Sequence, residues 1–262
     1  DPERDPRWGR TEEGYGEDPF LIGEMTTAYT LGMAGDHPTY RRVIPTLKHF
    51  CANNNEKERI NCSSNVTPRT LREYYYRAFE ASIVRGGTGS MMTAYNELSG
   101  VPACMNPDLK TLVKKQWGLK FVVTDGADFS QNVLAHHSHA THAEALAACL
   151  KNGNDVMTDG ADMVAAAARD ALDRGLLTEA DIDRAVGNSL SGRFRLGEFD
   201  GDSCPYNTEP AETDTLLHRA VNRCAAMEQM CLLHNRGILP LQFQPDARVA
   251  VIGPLGNENY RD

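Results

Sequence analysis

An aspartate leaving a short apolar run is the sharpest chemical feature of this sequence. Asp125 follows Phe121-Val-Val-Thr124 and precedes Gly126-Ala127. A carboxylate at such a strand end, with little side-chain bulk beside it, suits a nucleophile or a proton shuttle. The same residue could instead cap a helix or open an Asp-Gly turn. Lys48 and His49 leave a second apolar run, Val43-Ile-Pro-Thr-Leu47. Adjacent side chains can both face one ligand only where the backbone bends, and otherwise they start a solvated loop. Tyr95-Asn96 leave a third run, Ser90-Met-Met-Thr-Ala94. Arg59 lies in NNNEKER, which alone reads as a polar surface loop, and Arg10 lies in DPRWGR, where an arginine could stack on Trp8. His136, His137, His139 and His142 invite a metal reading. His139 and His142 could share a helix face. No HExxH accompanies them and no carboxylates stand at ligand spacing, so a solvated loop or helix start is preferred and neither metal nor cofactor is expected.

The elements that must position these residues alternate. Helices are expected over Pro19 to Met33, Pro68 to Arg85, Pro107 to Trp117, Ala140 to Lys151 and Ala161 to Arg174. Thr67-Pro68 supplies an N-cap and a first-turn proline. Thr178-Glu-Ala-Asp181 has the form of a capping box, opening a helix to Phe194. Strands are expected at Val43–Lys48, Ser90–Ala94, Phe121–Thr124 and, weakly, Asp155–Met157. Strands alternating with helices indicate parallel βαβ units, in a doubly wound sheet or a (β/α)8 barrel. No GxGxxG or GxxxxGK[ST] follows any strand, which removes the usual support for a nucleotide-binding sheet and a dehydrogenase. A barrel gathers its chemistry at strand C-terminal ends, where Lys48-His49, Tyr95 and Asp125 stand.

The composition changes from Gly197 to Thr215 (GEFDGDSCPYNTEPAETDT) to that of a linker. A helix from Leu216 to His234 and a buried-strand candidate, Arg248–Pro254, follow. The expected organisation is residues 1–200 as the C-terminal part of a (β/α) barrel domain, 201–240 as linker and helix, and 241–262 as the start of a second α/β sandwich domain. The first residues are Asp1-Pro2 and not Met, and the chain reads as an interior slice.

Charge and cysteines narrow the class. Lys and Arg number 27 against 36 Asp and Glu, a net charge of −9. Without basic runs the chain is not expected to bind nucleic acid, where Lys and Arg drive affinity by releasing counterions. No apolar stretch is long enough for a membrane span. Seven scattered cysteines without a CxxC pair disfavour a disulfide framework or a structural zinc, and mildly favour a reducing, cytoplasmic compartment.

The residues so far singled out stand in motifs whose order resembles glycoside hydrolase family 3: RDPRWGR, YGEDPF, LKHF with ANNNEKER, SMMTAYNELSGVP, WGLKFVVTDG and GLLTEADIDRAV. The resemblance covers nearly the whole chain. It implies an α/β fold, with a (β/α)8-type and possibly incomplete barrel followed by the start of an α/β sandwich domain. It also implies retaining hydrolysis of β-glycosides from the non-reducing end. By motif, Asp125 matches the family's nucleophile. Arg10, Lys48, His49 and Arg59 match residues that bind sugar hydroxyls, and Tyr95 matches a tyrosine near the nucleophile. Removal of β-D-glucosyl residues is the first expectation. A β-xylosidase, an α-L-arabinofuranosidase or a non-catalytic sugar-binding relative are the alternatives, because Gly126 stands where many members carry Trp. The partner implied is a small oligosaccharide or an aryl or alkyl glycoside, with a homodimer left open. The acid/base carboxylate is expected outside this chain.

Overall fold

The computed structural model describes residues 1–207 and 214–253. The chain divides into two units, Asp1–Thr208 and Glu209–Asp262.

In the first unit, Asp18 accepts a hydrogen bond from Phe20 N and Pro19 takes the first turn, so helix α1 runs over Pro19–Ala34. Strand β1 is Thr46–Phe50, later than expected. Pro45 has no N–H to give a ladder, which leaves Val43 and Ile44 outside the strand. After the short strand β2 (Ser63–Ser64), Thr67 caps α2 (Pro68–Thr70), which continues through a π-helical turn at Leu71–Tyr75 into α3 (Arg77–Val84). Strand β3 is Ser90–Thr93, and β4 (Glu97–Leu98) pairs with β5 (Val101–Pro102). The helix expected at Pro107 to Trp117 is a π-helical turn, Leu109–Lys114. Strand β6 is Phe121–Val123. Then follow α4 (Asp128–Leu134), α5 (His142–Asn152), α6 (Ala161–Asp173) and α7 (Glu179–Arg195). The capping box holds as expected, with Thr178 accepting from Asp181 N and the Asp181 carboxylate accepting from Thr178 N.

The central sheet has the order β1-β3-β6, all parallel, and Val123 bridges in parallel to Val156 where the weak strand was expected. Neighbouring strands thus follow chain order with helices between them, the mixed α/β arrangement expected of βαβ units. Phe50 anchors the packing. It stacks on Tyr76 and meets Phe79 edge-on, each at 5.1 Å, among buried Met91, Val113 and Val122. A second cluster seats α4, α5 and α6 on one another through Phe129, Leu146, Leu150, Ala167 and Ala171. Gly153 ends α5 with φ 113°, and a Cβ there would stand 3.0 Å from Lys110 N, so both conformation and space demand glycine. No helix among the described residues is long and apolar enough to cross a membrane.

In the second unit, α8 covers Leu216–Glu228 and stops before the expected His234. The expected strand at Arg248–Pro254 is not found over 248–253, and Pro254 lies outside the described residues. Val249 and Ile252 are 65% and 91% exposed there. An apolar run becomes a strand only where another strand accepts its ladder, and none among the described residues does so.

Candidate active site

The site forms at the C-terminal ends of β1, β3 and β6, with the N-terminal loop folded across it. Leu47 pairs with Met91 and Phe50 with Thr93, so β1 carries one more residue than β3 over this stretch. Such a bulge re-aims side chains. His49 becomes buried while its neighbour Lys48 stays exposed, 4% exposed in the case of His49. At the end of β3, Asn96 is fully buried and donates to the Cys51 and Glu97 carbonyls, tying the loops after β1 and β3 together. At the end of β6, Thr124 N donates to Val156 O and Thr124 Oγ1 accepts from Thr158 N, both at 3.0 Å. This clamps the backbone just ahead of Asp125.

Asp125 is mostly buried. Its Oδ1 accepts from Gly126 N at 2.7 Å, while buried Oδ2 has no hydrogen-bond partner and lies 3.3 Å from His49 Nε2. The His49 ring explains why that contact is not an ion pair. Burial, reinforced by the Arg10 and Lys48 cations, pushes His49 down to about 3. Arg10 Nη2 stands 3.4 Å from the same Nε2, and a guanidinium can only donate. Nε2 is therefore an acceptor and the ring proton sits on Nδ1. Neutral His49 offers no proton to Asp125, whose Oδ2 keeps its lone pairs free.

Arg10, Lys48 and Arg59 form a chain of alternating charge with Glu13 and Glu56. Lys48 Nζ meets Glu13 Oε2 at 2.5 Å, and Arg10 grips Glu13 through Nε and Nη2 at 2.5 and 2.7 Å. Arg10 Nη1 stands 3.6 Å from Glu56, which accepts from Arg59 at 3.0 Å. Arg59 lies over the Tyr95 ring at 4.7 Å, a cation–π contact. The Tyr95 hydroxyl donates to Gly126 O at 2.5 Å, and burial, with the Asp125 charge next, pushes its pKa upward so that it stays a donor. All six residues singled out in the sequence, Arg10, Lys48, His49, Arg59, Tyr95 and Asp125, thus join one contact network. One expectation changes: Arg4, not Arg10, stacks on Trp8, at 4.4 Å. The contact to Asp125 comes from His49, while Lys48 and Arg59 face Glu13 and Glu56.

Sequence reasoning missed Glu13, Glu56 and Asp128, and gave His136 no role in the site. Asp128 is 1% exposed and accepts from Thr93 Oγ1 at 3.3 Å. Burial, reinforced by Cys104 and Asp125, pushes its pKa well up, which disfavours a second charge behind Asp125. His136, one of the four histidines read as a solvated loop or helix start, has a side chain only 2% exposed. Its Nε2 lies 2.9 Å from Tyr95 O and its Nδ1 3.4 Å from Glu97, so it steadies the turn that carries Tyr95.

Residues 1–191 match the family model of the glycosyl hydrolase family 3 N-terminal domain. The chain belongs to glycosyl hydrolase family 3. Among relatives in the family, "Beta-D-xylosidase 1" of Arabidopsis thaliana is 35% identical over 261 residues, covering 96% of this chain and 33% of its own. The solved family 3 exo-β-xylosidase XlnD, in complex with a xylobiose aziridine activity-based probe, superposes with a TM-score of 0.84 at 29% identity, covering 92% of this chain and 32% of that one. The β-glucosidase of Listeria innocua with isofagomine superposes at a TM-score of 0.80 and 28% identity, covering 92% of this chain and 34% of that one. The chain therefore spans about a third of the length of these relatives.

Proposed function

We propose that this chain carries the nucleophile and the sugar-binding side of a retaining β-xylosidase whose parallel strands form part of a (β/α)8-type barrel. The observation that carries the reading is the buried, unpartnered Asp125 Oδ2 facing the Arg10–His49 pair. Retaining hydrolysis needs a carboxylate with free lone pairs aimed at the anomeric carbon and a second, protonated carboxyl about 5–5.5 Å away to supply the leaving group's proton. Asp125 attacks the anomeric carbon and forms a glycosyl ester. Water then cleaves that ester with the second group acting as base. Arg10, Lys48 and Arg59 supply donors for sugar hydroxyls, and neutral His49 supplies an uncharged polar contact. Glu13 is a poor candidate for the acid, because its hydrogen bonds to Arg10, and next to Lys48, hold it down to about 2. Glu56 is paired with two arginines. Neither of these carboxylates is therefore assigned as the acid/base.

The relatives support the choice of sugar. The xylosidase alternative leads over the first expectation of a β-glucosidase because the relatives reported above at the highest identity and highest TM-score are both named xylosidases. Gly126 fits either sugar, since a Cβ there would meet only the Tyr95 hydroxyl, at 3.7 Å. The test is trapping. A 2-deoxy-2-fluoro-β-xyloside incubated with the full-length protein should add its glycosyl mass to the peptide carrying Asp125, faster than the fluoroglucoside or an arabinofuranoside analogue does. A label on another carboxylate, or none, overturns the reading. Faster labelling by the glucoside overturns only the choice of sugar.

A further inference from the structure

Glu13 has no role in the reading above, yet it is the hub of the cationic side of the site. It ends the 3-10 turn Thr11–Glu13, for which Arg10 is the N-cap. In a 3-10 turn side chains three apart eclipse, which puts Arg10 and Glu13 on one face. The pairing is bidentate: Oε1 accepts from Arg10 Nε and Oε2 from Arg10 Nη2. Oε2 also accepts from Lys48 Nζ, which arrives from β1 at a separation of 35 residues. Glu13 thereby links the N-terminal loop to the bulged strand through Lys48 and fixes Arg10 on the loop. Its oxygens take three donors, close to the capacity of one carboxylate, so little remains for a sugar hydroxyl. Lys48 keeps two of its three N–H donors, and Arg10 is left with Nη2 on His49 and Nη1 near Glu56. The Arg10 side chain is 16% exposed and Glu13 34%, so the clamp sits at the rim of the site.

We propose that Glu13 is a positioning residue for the proposed hydrolysis, holding Arg10 and Lys48 where their remaining donors meet the hydroxyls of the sugar. The proposal rests on the reading of the site as a glycosidase, and its outcomes separate from those of that reading. Without Glu13, two long cationic side chains close to each other repel and lose their shared geometry, while Asp125 and its Gly126 contact stay in place.

The experiment compares Glu13→Gln and Glu13→Asp with wild type in the full-length protein. Each is assayed on an aryl β-xyloside and on the same xyloside lacking its 3- or 4-hydroxyl. Glu13→Gln should lower kcat/KM on the intact sugar by roughly 10- to 100-fold, the scale of charge-assisted hydrogen bonds. The loss should shrink to about threefold or less on at least one deoxy substrate, because the misplaced donors have no hydroxyl to miss there. Glu13→Asp, which keeps the charge, should recover part of the loss. An equal loss on intact and deoxy sugars, or a Glu13→Gln enzyme within threefold of wild type, overturns the positioning role while wild-type turnover leaves the glycosidase reading standing. If Glu13→Gln does not fold, Glu13→Asp is read by the same deoxy comparison, and an equal loss again overturns the role. Absence of wild-type turnover on any aryl glycoside overturns both.

Discussion

Replacing Asp125 with Asn separates the chemistry of the site from its architecture. The Oδ1 to Gly126 N bond of 2.7 Å survives, since the amide keeps one oxygen. The amide nitrogen takes the place of Oδ2, a buried atom with no partner, 3.3 Å from the accepting His49 Nε2. A buried acceptor without a partner becomes a donor facing an acceptor, so folding loses little. We expect a change in stability within about 1 kcal/mol, the scale of one hydrogen bond. Turnover loses the atom that forms the covalent bond. We expect a fall in kcat on an aryl β-xyloside of about 10⁴-fold or more, or ~5.5 kcal/mol at 1.36 kcal/mol per decade. Arg10, Lys48 and Arg59 remain, so xylose should bind within about tenfold of wild type, read by calorimetry. Phenol release and a thermal melt on the same full-length preparation provide the assay. A variant that melts like wild type and turns over within tenfold of it would refute the assignment of the nucleophile. A variant that melts far lower would refute the account of the Oδ2 environment.

Other predictions follow from the same geometry. His49 titrates near 3 when folded against about 6.5 when unfolded. Between these values the unfolded chain binds a proton that the folded chain refuses, so stability falls as pH drops from 6.5 toward 3, by up to about 1.4 kcal/mol per unit from this residue. His49→Asn should flatten that slope in urea melts across the window, and an unchanged slope would count against it. Lys114 pairs with Asp155, whose side chain is 2% exposed and also accepts from Val122 N and Asn188 Nδ2 at 2.9 Å. Lys114→Met strands that carboxylate and should cost about 3 kcal/mol in a denaturant melt; a loss under 1 kcal/mol would mean that the two amide donors suffice.

The alternation of apolar runs with helical segments was legible because buried parallel strands read as continuous apolar stretches. Thr178 and Asp181, and Thr67 and Pro68, announced their helix starts by side-chain chemistry. Helix α4 was not legible, because its N-cap is Ala127 in the left-handed region, φ 58°, with no capping side chain. The π-helical turns at Leu71–Tyr75 and Leu109–Lys114 follow from tertiary packing, since no residue type marks them. In the site, the cations could be found because they stand in ordered motifs beside strand ends. Glu13 and Glu56 could not, because TEE and NEKE read as solvated acidic loops until partners distant in the chain reach them. An i,i+3 Arg-Glu pair in a short turn was the one available signal for Glu13. The run at Arg248–Ile252 forms no strand and has no strand beside it among the described residues.

The extra residue in β1 constrains how this protein can vary over time. Between the points where Leu47 meets Met91 and Phe50 meets Thr93, the strand is out of step with its neighbour by one. A substitution in that stretch changes one side chain. A deletion of a single codon would restore an even ladder and turn the following side chains to the opposite face, carrying the buried histidine out of the site together with its neighbours. Lineages that keep the site are therefore free to exchange residues around it, but not to alter the count of residues between Leu47 and Phe50.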